Sequence, residues 1–322
     1  MALTDLLDAA LDRSVVLGYT RLGSRLRRRW WPADPAPGSL RGRRVLVTGA
    51  TSGIGEAMAG SFAALGATVH VLGRNAEKLA GVTKELRLEH PNAEIVDEVC
   101  DVGDLDAVRA WATGFADLVP GLHGLVHNAG TMTDTRGESP QGHELQLAVH
   151  VLGPHLMTEL LRPALQAAGG TVVWMSTGGM YGAGLRSDPD GIEFRDGTYS
   201  GVQAYARTKR MQVVLADAWS RRLHGSDVRV ESMHPGWVET PGVATHLPRF
   251  RAATRPLLRT AEDGADTAVW LVATRPASYA GHFWHDRAQR PTTFGWQRDE
   301  DPEQVRAFLT YVAGATGTPS DW

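Results

Sequence analysis

Short apolar runs alternate along the chain with amphipathic stretches. Val45-Leu-Val47, Thr68–Leu72, Glu94-Ile-Val96, Leu122–His127, Thr171–Met175 and Val228-Arg-Val230 are brief and rich in β-branched residues. Their length and composition predict strands. Between them, near 54–65, 76–89, 104–118, 142–167, 202–223 and 261–273, apolar positions recur at helical spacing. Repeated strand-then-helix order predicts an α/β architecture: a doubly wound parallel sheet with helices on both faces. Right-handed crossovers then bring the strand C-termini to one edge, where ligands bind in such sheets.

The flanks carry weaker patterns. Leu3, Leu6, Leu7, Ala10 and Leu11 predict an amphipathic helix over roughly 3–28, followed by the linker Pro32–Gly38. Residues 1–38 therefore read as an N-terminal helical extension, 39–285 as the dinucleotide-binding and catalytic domain, and 286–322 as a tail. Pro302 suits the first turn of a tail helix at Asp301–Val312. At 322 residues, 43% hydrophobic and 21% charged, the chain fits one α/β domain with additions.

The net charge of −3 conceals an asymmetry. Residues 1–44 hold nine Lys/Arg against four Asp/Glu, a balance of +5, leaving −8 elsewhere. Arg25, Arg27, Arg28 and Arg29 precede Trp30 and Trp31. Two readings fit: a helix packed on the main domain with solvated arginines, or a basic, aromatic stretch resting on an anionic membrane surface. Asp5, Asp8 and Asp12 weigh against the second. The acidic remainder argues against nucleic acid. Cys100 stands alone, so no internal disulfide forms, in keeping with a reducing compartment. With no apolar run of membrane-spanning length and no signal-peptide pattern, a cytoplasmic protein is expected, with peripheral membrane contact as the lesser alternative.

The chemistry begins after the first strand. Thr48-Gly-Ala-Thr-Ser-Gly-Ile-Gly55 leads into a helix. Gly49, Gly53 and Gly55 permit a tight turn and close approach of a pyrophosphate, which the helix N-terminus favours; Thr51, Ser52 and Ile54 complete the turn. The second strand ends in Gly73-Arg74-Asn75. A carboxylate there would bind a ribose diol, whereas Arg74 suits a 2′-phosphate, so NADP(H) is expected over NAD(H). The alternative is a surface arginine at a helix start. Further on, Tyr205-Ala-Arg-Thr-Lys209 places Tyr and Lys on one helix face. A free phenol titrates near ~10, and a neighbouring ammonium favours its ionisation. Neither Tyr181 nor Tyr199 has a lysine four residues on.

Thr48-Gly-x-x-x-Gly-Ile-Gly55, Asp101, Asn128-Ala-Gly130, Ser176-Thr177, Tyr205-x-x-x-Lys209 and Pro235-Gly236, in that order, make residues 43–285 resemble the classical short-chain dehydrogenase/reductase family, with its Rossmann fold. Ser176–Met180, Tyr205–Leu215 and Met233–Gly242 resemble its member-12-like subgroup. The resemblance implies that Tyr205 is the general acid/base and that Lys209 holds the nicotinamide ribose and depresses the tyrosine pKa. It places the substrate-binding hydroxyl on Thr177, with Ser176 before it. Asp101 and Val102 are expected at the adenine, and Asn128, Ala129 and Gly130 along the cofactor. Pro235, Gly236, Val238 and Thr240 are expected around the nicotinamide. The family also suggests homodimers or homotetramers through the long helices near 142–167 and 202–223.

Two departures stand out. His150 occupies a position where the family pattern expects an asparagine whose carbonyl holds a relay water; the histidine ring either crowds that water, replaces the relay, or simply packs. Residues 182–204 exceed the usual length and are expected as a surface loop at the pocket mouth. Met180, Tyr181, Leu185, Trp237, Leu247 and Trp284 suggest an apolar wall for a lipophilic carbonyl or secondary alcohol. Metal-ligand spacing is absent, as is a Gly-x-Ser-x-Gly elbow. The expected activity is an NADP(H)-dependent oxidoreductase; the competing reading is a dinucleotide-binding scaffold or sensor with little catalysis, motivated by His150 and Thr177.

Overall fold

The computed structural model describes residues 3–278, 282–294 and 300–322; side chains of Leu3, Asp5, Leu6 and Val15, and tail residues 295–299, lie outside the described residues. Eight strands form one sheet: β1 (Arg44–Thr48), β2 (Thr68–Gly73), β3 (Ile95–Val99), β4 (Gly124–His127), β5 (Thr171–Met175), β6 (Arg229–Met233), β7 (His282–His285) and β8 (Ala288–Pro291). Their order is β3-β2-β1-β4-β5-β6-β7-β8, all parallel except the β7–β8 pair. The central strands are buried throughout because helices cover both faces. On one face lie helices Leu105–Leu118, Gly153–Ala168 and Gly201–Arg222; on the other lie Gly53–Ala64, Ala76–Glu89 and Ala261–Thr274. The six strands and six helices expected from periodicity are present, with small shifts at their ends.

β7 and β8 carry no such signal. Between them, Asp286 and Arg287 both have positive φ (51° and 56°), a conformation that two-residue hairpin turns usually assign to Asn-Gly. Here ion pairs hold it. Asp286 meets Arg27 at 2.8 Å and Arg259 at 2.6 Å, while Arg287 meets Asp266 at 2.6 Å. The sheet consequently runs to Pro291, beyond the boundary expected at 285.

The extension also differs from expectation. Instead of one helix over 3–28 there are three, Leu3–Arg13, Val15–Tyr19 and Arg21–Arg27. Ser14 caps the second, its Oγ accepting from the Leu17 amide at 3.4 Å, and Thr20 is extended (ψ 170°). The helices cross closely enough that a methyl on Gly18 would stand 2.3 Å from the Leu11 carbonyl oxygen. Arg27 is fully buried rather than solvated, its Nε donating to Asp8 Oδ1 at 2.8 Å. Leu7, Val16, Leu17 and Leu22 remain exposed, so the surface available to a membrane is smaller than a continuous stripe would give. Among the described residues, no helix is long and apolar enough to cross a membrane.

The tail helix is Pro302–Thr316, with Phe308, Leu309 and Val312 buried in the core beside the 153–168 and 201–222 helices. Trp322 packs on His155 and Trp219, at ring distances of 5.3 and 5.6 Å.

Truncating Arg27 to alanine leaves the Asp8 and Asp286 carboxylates short of a partner in a buried site. We expect Arg27→Ala to cost about 3–5 kcal/mol, measured by urea denaturation. A change under about 0.5 kcal/mol would show that the extension is not docked as described.

Candidate active site

The strand C-termini open into a cleft of about 830 Å³. Every catalytic and cofactor-binding residue expected from the sequence lines it, except His150. The floor is the turn after β1. A methyl on Gly55 would lie 2.4 Å from the Gly49 carbonyl oxygen and 2.5 Å from Asn128 Nδ2, so only glycine allows this packing. Asn128 Nδ2 donates to the Thr48 and Gly49 carbonyls at 3.0 and 3.1 Å. Thr48 Oγ1 accepts from the Asn128 and Ala129 amides at 3.1 and 3.0 Å. Asn128 thus fixes the shape of the turn through its side chain. Ser52, at the N-cap of the Gly53–Ala64 helix, makes no side-chain cap bond, so the leading N–H groups remain available to an anion.

At the lip, Arg74 is exposed and has no ion-pair partner among the described residues. Asn75 Oδ1 accepts from the Lys78 amide at 2.8 Å, which occupies that side chain as a helix cap. Lys78 lines the cleft as a second cation. Asp101 Oδ1 accepts from the Gly103 amide at 2.9 Å and shapes the turn after β3, where Val102 is buried. The glycine cradle and the uncapped helix end fit the pyrophosphate of a dinucleotide.

Tyr205 and Lys209 lie one helical turn apart, with Lys209 Nζ 5.4 Å from the tyrosine ring centre. Nζ is buried and donates to the Met175 carbonyl at 2.8 Å. Burial lowers the Lys209 amine to about 7 and raises the Tyr205 phenol to about 12, because each loses solvation of its charged form. Ser176 Oγ donates to the Lys209 carbonyl at 2.8 Å and is buried, which ties β5 to the tyrosine helix. Thr177 is the member of the pair that keeps surface in the cleft.

His150 sits behind the cleft, in a π-helical turn (Ala148–Leu152). Its Nε2 accepts the Thr131 amide at 3.0 Å, so the ring proton is assigned to Nδ1, 2.8 Å from Thr208 Oγ1. Thr208 Oγ1 in turn donates to the Tyr205 carbonyl at 3.0 Å. Burial, and then the Lys209 charge, push the imidazole well below its ordinary range, so it is neutral. The His150 carbonyl accepts Gln212 Nε2 at 2.8 Å.

The apolar wall differs from expectation. Trp237 and Leu247 line the cleft, but Met180, Tyr181, Leu185 and Trp284 are buried in core clusters. Met132, Val202 and Phe250 take their place. Phe250 lies on a short lid helix, Pro248–Thr254, edge-on to Trp237 at 5.0 Å. No motif marks it. Nor do residues 182–201 line the cleft. That stretch is pinned through buried Glu193, which meets His143 Nδ1 at 2.7 Å and accepts from the Glu144 amide and Tyr311.

Fold and cleft define a dinucleotide-dependent enzyme of short-chain type, and comparison with known proteins agrees. Residues 43–186 match the short chain dehydrogenase family. The chain is 34% identical over 278 residues to dehydrogenase/reductase SDR family member 12 of Bos taurus, covering 85% of this chain and 86% of that one. Human retinol dehydrogenase 12 is 31% identical over 237 residues, with coverage of 71% and 73%. A metagenomic short-chain oxidoreductase solved in complex with NADP superposes with a TM-score of 0.55 at 26% identity, covering 73% of this chain and 92% of that one. The protein belongs to the short-chain dehydrogenase/reductase family of nicotinamide-dependent oxidoreductases, in the subgroup of member 12.

The turn after β1 makes the first test. Gly55→Ala should weaken nicotinamide dinucleotide binding by more than about tenfold in a fluorescence titration. Undiminished affinity would move the phosphate seat elsewhere.

Proposed function

We propose that the protein is an NADP(H)-dependent oxidoreductase that interconverts a lipophilic carbonyl compound and its secondary alcohol, with Tyr205 as the general acid/base. The observation that carries this reading is the opening of Tyr205 and Lys209 into the same cleft as the glycine turn. The uncapped helix end accepts the pyrophosphate, and Arg74 with Lys78 supplies positive charge for a 2′-phosphate. When bound, the nicotinamide supplies or accepts the hydride.

The remaining chemistry falls to the side chains. Held at about 12, the Tyr205 phenol is protonated at neutral pH and donates that proton to the carbonyl oxygen. In the reverse direction the phenolate takes the alcohol proton. Lys209, drawn to about 7, exchanges protons in the neutral range, and its ammonium form offsets the charge left on the phenolate. The Thr177 hydroxyl is placed to hold the substrate oxygen. Trp237, Leu247, Phe250, Met132 and Val202 favour an apolar substrate body and exclude water. A relative named for retinol, an apolar alcohol, accords with that wall. His150, expected as a relay substitute, an obstruction or a packing residue, acts here as a positioning residue that links through Thr208 to the Tyr205 backbone. The tail helix and Trp322 lie over the helices expected to mediate self-association, so a dimer or tetramer built there must seat the tail as well.

A panel of aliphatic and aromatic ketones tests the reading, with NADPH and NADH compared. We expect turnover with NADPH preferred, and Tyr205→Phe should lower kcat by roughly 10²–10⁴-fold while leaving dinucleotide affinity within about threefold. Wild-type turnover in Tyr205→Phe would remove the acid assignment.

The pH dependence has a defined sign. Alcohol oxidation requires the phenolate, whose population below its pKa grows about tenfold per pH unit. kcat/KM for oxidation should therefore climb between pH 6 and 8, whereas reduction, which uses the phenol, should not. An oxidation rate independent of pH across that range would be inconsistent with Tyr205 as base.

A further inference from the structure

The N-terminal extension packs behind the loops that frame the cleft, with Tyr19 at the contact. Tyr19 is 3% exposed and stands between the loops that follow β5 and β6. On one side, a methyl at Gly178, next to Thr177, would lie 2.3 Å from Tyr19 Cε2, so the ring is in direct contact with that turn. On the other, the Tyr19 carbonyl accepts the Trp237 amide at 2.8 Å. The ring is also edge-on to His234 at 4.4 Å and His285 at 5.2 Å.

Arg259 locks this contact. Its Nε donates to the Tyr19 carbonyl at 3.0 Å, and its Nη atoms reach the Pro235 and Gly18 carbonyls at 3.3 and 2.9 Å. Its own amide donates to the Trp237 carbonyl at 2.7 Å, and its carbonyl accepts the Glu239 amide at 3.0 Å. Asp286 pairs with both Arg259 and Arg27, and Asp8 supplies a second carboxylate to Arg27. Pro235–Glu239 is therefore suspended between the extension and one buried ion cluster.

We propose that Tyr19 is a positioning residue of the active site: wedged between the Thr177-Gly178 turn and the Pro235–Val238 loop, it sets the spacing between the substrate-oxygen hydroxyl and the walls around the nicotinamide. The extension is then part of the site, and its removal opens the cleft. The inference rests on the oxidoreductase reading for its kinetic consequence, but not for the contact itself.

The test uses the full-length chain carrying Tyr19→Ala, Tyr19→Phe, Gly178→Ala and the Tyr19→Ala/Gly178→Ala pair, each assayed below its melting temperature. Tyr19→Ala should lower kcat/KM for a ketone by about tenfold or more, since small displacements at a reacting centre are costly. NADP⁺ affinity should stay within about threefold, and amide hydrogen exchange over 235–240 should accelerate. Tyr19→Phe should behave as wild type. Gly178→Ala should also impair turnover, and by less in the Tyr19→Ala background, where the added methyl fills the vacated ring space.

A folded Tyr19→Ala variant with wild-type kcat/KM and wild-type exchange overturns the proposal, as do strictly additive losses in the pair. Should Tyr19→Ala fail to fold, Tyr19→Leu replaces it under the same criteria. If the wild-type chain turns over no carbonyl, the oxidoreductase reading fails and the exchange measurement alone decides the wedge.

Discussion

The Asp286 carboxylate is where three parts of the molecule meet. Burial by itself would raise its pKa, but His285, Arg259 and Arg27 hold it far below the ordinary carboxylate range, so it stays ionised. Both of its oxygens accept from Arg259, which suspends the loop after β6, and Oδ2 also accepts from Arg27, which docks the extension. Its positive φ turns β7 into β8. A single buried anion thereby joins the sheet edge, the N-terminal helices and the lid of the cleft. Such a cluster contributes little net stability against an apolar equivalent, yet losing one member is costly. Its value here is geometric, because each guanidinium also binds backbone carbonyls that must stay where they are.

A second constraint is the withdrawal from solvent of Lys209, which is buried, and in part of Tyr205, which is half-buried at the cleft. Burial moves the phenol up to about 12 and the amine down to about 7, so near neutral pH the phenol is protonated and the amine is divided between its two forms. A neutral phenol is the form that donates a proton. The amine, meanwhile, is held by the Met175 carbonyl, and Ser176 fastens the same helix turn through the Lys209 carbonyl. β5 thus sets the rotation of the catalytic helix through two hydrogen bonds from adjacent positions.

Legibility in the sequence followed periodicity and local spacing. The glycine turn, the Tyr–Lys pair and the six central strands depend on residues close together in the chain, and they were readable. β7 and β8 were not, since Asp286-Arg287 lacks the usual turn chemistry and Arg290 is buried through Asp8 rather than through apolar character. The helical spacing of Leu3–Leu11 does not extend past Ser14 and Thr20, where the extension breaks into three helices. Arg27 looked solvated because its partner Asp286 is 259 residues away. Met180 and Trp284 looked like pocket residues for a related reason: sequence places them near the strand ends but does not say which face each side chain takes.

His150 shows the same limit within the site. The residue type suggests a titrating relay, and the position suggests a lost one. Yet a ring that accepts the Thr131 amide at Nε2 and faces Thr208 at Nδ1 has both nitrogens committed. Charging it would place a second proton on Nε2, opposite an amide hydrogen, in a site where burial already disfavours the cation. What the imidazole does supply is a rigid link from the loop after β4, through Thr208, to the Tyr205 backbone. The histidine and the π-turn that carries it thus act together to fix the Tyr205 backbone.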